Sequence, residues 1–83
     1  MTEIELQATL AGYNETELQL ALMRYLASIK AEAGEAMLIC LELETKNQMI
    51  ELLKYIYKNS PKEIETLYEI ACEIAGREGL LNE

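Results

Sequence analysis

Apolar residues recur along this chain at intervals of three and four, the spacing that puts side chains on one face of an α-helix. Leu18, Leu22, Tyr25 and Ile29 follow it, as do Ile64, Leu67, Tyr68, Ala71, Ile74 and Ala75. Between such stretches a residue able to cap a helix is followed three positions later by Glu or Gln: Thr2 with Glu5, Asn14 with Glu17, Thr45 with Gln48, and Ser60 with Glu63. The first side chain of such a pair accepts a hydrogen bond from an amide of the opening turn, and the second reaches back to the capping residue's own amide. Each pair therefore marks a helix start.

These signals predict an all-α fold, a small bundle of four or five helices in a single domain spanning residues 1–83, with helices at about 3–11, 15–33, 35–44, 46–59 and 61–75. Gly12 and Gly34 are natural ends for the first two. In the first helix Ile4, Ala8 and Ala11 form the inward face, with Leu6 and Leu10 beside it. In the second, Leu20, Met23 and Leu26 widen the apolar face beyond what one neighbouring helix would cover. Seven of the eight residues from Ala36 to Leu43 are apolar, a run that fits a buried helix or a buried strand. Helix is favoured, because only Ile39 is β-branched. Met49, Ile50, Leu52, Leu53 and Ile56 point inward from the fourth helix. Pro61 suits the first position of the last helix, behind a Ser60 cap. Gly76 and Gly79 loosen its end, and Leu80 and Leu81 beyond them either fray or dock.

Composition sharpens this picture. Hydrophobic residues make up 51% of the chain, a rich share for a length that buries only about 60% of its unfolded surface. The surplus predicts self-association, most simply as a homodimer. No Asp, Val, Phe or Trp is present and all fifteen acidic residues are Glu, which suits helices throughout. Cys40 and Cys72 lie in apolar runs and are too few for a disulfide framework, so they read as buried, reduced thiols. No charged n-region precedes an apolar segment, and no apolar run approaches the roughly 18 residues of a membrane span. A cytoplasmic location is the expectation.

Little catalytic chemistry is available. Without His the usual general base, the His-assisted nucleophiles and the imidazole metal ligands are missing. Two cysteines alone cannot complete a structural zinc site, and no glycine-rich phosphate loop occurs. Glu32 with Glu35, and Glu42 with Glu44, are the candidate carboxylate pairs for a magnesium-dependent enzyme. Gly34 interrupts the first, and the second diverges by about 200° around a helix. The expectation is a protein that is not an enzyme and needs no cofactor.

Charge directs attention to partners. A net charge of -8 disfavours nucleic acid and anionic membranes and favours a basic partner. Glu65, Glu69 and Glu73 form an acidic strip at four-residue spacing, either a solvated face or a surface that pairs with basic groups. Lys46, Lys54, Lys58 and Lys62 gather into a basic patch with Tyr55 and Tyr57 interleaved. The helix, turn and helix around Ser60 also match the outline of a helix-turn-helix DNA-binding regulator using Lys46 to Lys62 on phosphates. In that alternative the acidic strip occupies the helix that should enter the major groove. The two stripes together would also allow a charge-steered homodimer. The reading is a small acidic regulatory, adaptor or inhibitor protein that works by contact with another protein.

Overall fold

Of the five helices, three pack on the one with the widest buried face. In the computed structural model, which describes the backbone of residues 2–81 and the side chains of residues 2–76, the five are α1 (Glu3–Ala11), α2 (Glu15–Ser28), α3 (Ala33–Glu42), α4 (Lys46–Asn59) and α5 (Ile64–Leu81). No strand occurs among the described residues, so Ala36 to Leu43 is helical as far as Glu42. Met49, Ile50, Leu52, Leu53 and Ile56 of α4 are all buried, which requires cover on more than one side. α1, α2 and α5 pack on it, and α3 bridges α2 and α5. Leu18, Leu22 and Leu26 of α2, Ile39 of α3 and Leu67 and Ala71 of α5 complete one continuous core.

Three of the four capping signals operate as the sequence predicts. The Glu5 amide donates to Thr2 Oγ1 at 3.1 Å, the Asn14 and Glu17 pair closes in both directions at 3.0 and 2.8 Å, and the Gln48 amide donates to Thr45 Oγ1 at 3.2 Å. Gln48 is also the one buried polar residue among those described. Its Oε1 accepts from the amides of both Glu44, at 2.6 Å, and Thr45, at 3.1 Å. A single side chain thus holds the bend between α3 and α4.

The fourth signal is a correction. Ser60 ends α4 in the left-handed conformation at φ 47, its amide donating to Ile56 O at 2.8 Å, and α5 begins at Ile64 rather than at Pro61. Pro61 lies in the connection, where its carbonyl accepts from the Tyr25 hydroxyl. α5 then continues through Gly76 and Gly79 to Leu81; whether Leu80 and Leu81 dock lies outside the described side chains.

The second helix is also shorter than expected. α2 stops at Ser28 and not near Gly34, because Lys30 turns left-handed at φ 62. The Ala31 amide reaches Leu26 O and the Lys30 amide reaches Ala27 O, each at 3.0 Å. That is a Schellman ending with lysine where glycine is usual. α3 consequently starts at Ala33, two residues earlier than predicted, and ends at Glu42 instead of Glu44. In α1 the inward face is Leu10 with half-buried Leu6, whereas Ile4 is 83% exposed and Ala8 and Ala11 face solvent. The reason is tertiary: α1 meets only α4 closely, and a pair one turn apart suffices for that contact. Cys40 and Cys72 are half-buried free thiols, not core residues.

The radius of gyration, 12.2 Å, matches the about 12 Å of a compact domain this long. Apolar side chains left outside are therefore surplus to a closed core.

Two stability measurements follow. Gln48→Met removes the acceptor shared by Glu44 and Thr45 and should lower unfolding free energy by about 2 kcal/mol in urea titration. An unchanged midpoint would mean that the bend does not depend on it. Lys30→Gly relieves the left-handed side chain and should raise stability by about 0.5–1 kcal/mol, a few degrees of melting temperature for a domain of this size.

Candidate functional site

α3 is apolar almost all the way round, and the fold covers only half of it. At about 100° per residue, Ala36 and Ile39 point to the core, Cys40 turns toward α2, and Glu35, Leu38 and Glu42 turn toward α5. Gly34, Met37 and Leu41 are left on the outward ridge. Met37 is 61% exposed, Leu38 52% and Leu41 69%. α2 continues the apolar surface with exposed Met23, and Leu20 is exposed about one turn earlier on the same helix. The join is close, since Cys40 Sγ lies 3.7 Å from Met23 Sδ; burial also pushes the Cys40 thiol pKa up.

On its other flank α3 meets α5 across an open groove of about 320 Å³, lined by Leu38, Ile64 and Tyr68 and by the carboxylates of Glu35, Glu65 and Glu69. The opening Thr-Leu-Tyr turn of α5 buries Leu67 and so leaves Ile64 and Tyr68, one turn apart, facing the groove. Glu35 Oε1 accepts from the Glu32 amide at 3.3 Å, so this carboxylate closes the first turn of α3. The Tyr68 hydroxyl is held above its ordinary pKa, first by hydrogen bonding to Cys72 and then by the negative charge that Cys72 and Glu42 carry when ionised.

The structure divides the acidic strip seen in the sequence. Glu65 and Glu69 stand at the groove, whereas Glu73 lies across α5 beside Lys54, Tyr55 and Lys58. That second, shallow depression also holds Glu3 and Glu51, and Lys54 Nζ pairs with Glu51 Oε1 at 3.6 Å. Lys54 and Lys58 are thus set among three carboxylates rather than in a field of positive charge. Tyr57 is exposed beside Leu6 and Glu3, and Lys62 is exposed in the connection before α5. Lys46 donates from Nζ to Ala11 O at 2.9 Å, capping the end of α1.

Sequence reasoning missed Glu35, Leu38, Ile64 and Tyr68 as neighbours, and it read Ala36 to Leu43 as a buried run, within which Met37, Leu38 and Leu41 are in fact exposed. The available signal was the run Ala36 to Leu43, apolar over more of its circumference than one contact could cover. Among the described residues no three carboxylate or thiol groups converge as a metal-binding group, and no helix is long and apolar enough to cross a membrane. Compared with known proteins, this chain matches no family model, no curated protein and no solved structure.

Proposed function

We propose that this protein acts by contact with other protein surfaces and not by catalysis, as a small regulatory, adaptor or inhibitor module. The observation that supports the reading is the outward ridge of α3. Met37 and Leu41, with Met23 joined to α3 through Cys40, stay exposed after a compact core has closed. Unpartnered apolar surface on a finished small domain is the usual mark of an interaction site.

The same ridge favours self-association. Its members are uncharged, so two copies of a chain with net charge -8 can meet there without bringing carboxylates together. A dimer formed this way would also cover the surplus apolar surface. The placement of Lys54 and Lys58 among Glu3, Glu51 and Glu73 gives the DNA-binding alternative no comparable support, because phosphates would meet mixed charge there.

The test is a Met37→Glu/Leu41→Glu variant. Neither side chain is buried, so the helical circular dichroism and melting temperature should stay near wild type. Sedimentation velocity should show wild-type dimer and variant monomer. Tagged capture from source-cell extract after nuclease treatment should likewise lose its protein partners with the variant. Identical sedimentation together with identical capture would defeat the proposal.

A further inference from the structure

The groove between α3 and α5 differs from the ridge in being bordered by charge. Glu35 stands on the α3 bank, Glu65 and Glu69 on the α5 bank, and Leu38, Ile64 and Tyr68 lie between them. Among the described residues none of the three carboxylates has a cationic partner; the ion pair that exists, Lys54 with Glu51, is elsewhere. Glu65 and Glu69 are like charges one helical turn apart, an arrangement unfavourable to the free helix. Unneutralised carboxylates on both sides of an apolar trough attract cations and repel acidic surfaces.

A second copy of this chain is a poor occupant. It has seven basic residues against fifteen acidic ones. Of these, Lys46 is engaged by Ala11, and Lys54 and Lys58 sit among Glu3, Glu51 and Glu73. Arg24, Lys30 and Lys62 remain exposed, but a second copy would bring its excess of carboxylates along with them; a partner with a basic surface supplies cations without that excess, and the apolar floor calls for bulky apolar side chains beside them.

We infer that this groove receives a basic amphipathic helix of a partner protein. One or two Leu, Met or Phe side chains of that helix enter between Leu38, Ile64 and Tyr68, in a groove of about 320 Å³. Lys or Arg a turn to either side meet Glu35 on one bank and Glu65 and Glu69 on the other. Apolar burial supplies the affinity, and the carboxylates set orientation and exclude acidic competitors. The inference rests on the reading that the protein works by protein contact, and it adds the chemistry of the partner.

Three fluorescein-labelled synthetic peptides of about four helical turns test it. The first carries Leu on one face flanked by Arg, the second has Arg replaced by Glu, and the third keeps Arg but replaces Leu with Ser. Anisotropy titrations with the full chain should show binding of the first peptide alone, weakened when salt rises from about 0.05 to 0.3 M. Glu65→Gln/Glu69→Gln should weaken that binding about tenfold or more, whereas Glu15→Gln/Glu44→Gln, with the same net charge, should bind as wild type does. The groove variant should melt no lower than wild type, since it removes a like-charge pair; this separates lost binding from lost folding.

Equal binding of the Ser peptide, or equal weakening in both double variants, would reduce the effect to diffuse attraction and overturn the inference. So would a change of sedimentation in Glu65→Gln/Glu69→Gln, which would make the groove an interface between copies. If Met37→Glu/Leu41→Glu loses its captured partners while wild type ignores the first peptide, the basic helix is refuted and the interaction module stands.

Discussion

The burial of α4 is the constraint on which the arrangement depends. Five apolar residues spread around this helix cannot be covered by one neighbour, so α1, α2 and α5 are recruited to it. With those positions filled, α3 settles in the saddle between α2 and α5. Only one side of α3 then meets the core, although its composition would allow more. The exposed ridge is thus a consequence of occupancy: the best places around α4 are already taken.

Much of the fold was legible because helix starts are written locally. Thr2, Asn14 and Thr45 each act through a partner three residues away, within reach of any chain that turns once. Ends were harder to read. Lys30 closes α2 in a conformation that lysine tolerates poorly, held there by Ala31 and Leu26 in the core contact that follows, so no glycine advertised it. Ser60 carries the residues of a start and serves as an end, because the Tyr25 hydroxyl holds the Pro61 carbonyl and delays the next helix.

The candidate surface was legible only as a surplus. An apolar run with only Glu42 to give it a polar side, such as Ala36 to Leu43, does not state which side is in, and only its shortage of β-branched residues marked it as helix. Leu38 and Ile39 are adjacent and chemically alike, yet one is half exposed and the other fully buried. The acidic strip had the opposite difficulty. Its spacing was plain, but what each carboxylate faces depends on a neighbouring helix, and α5 is long enough to pass from α3 to α4. Glu65 and Glu69 therefore share surroundings with Glu35, and Glu73 with lysines, although all three repeat one interval.

Gln48 fixes the bend into α4 from inside the protein, and the outer side chains of α3 take no part in that joint or in the core. Within α3 the residues that meet the core, Ala36 and Ile39, are therefore not the ones left exposed. Met37, Leu38 and Leu41 can be exchanged for other side chains without renegotiating the fold, so if the protein works by contact as proposed, that surface is free to diversify faster than the architecture beneath it.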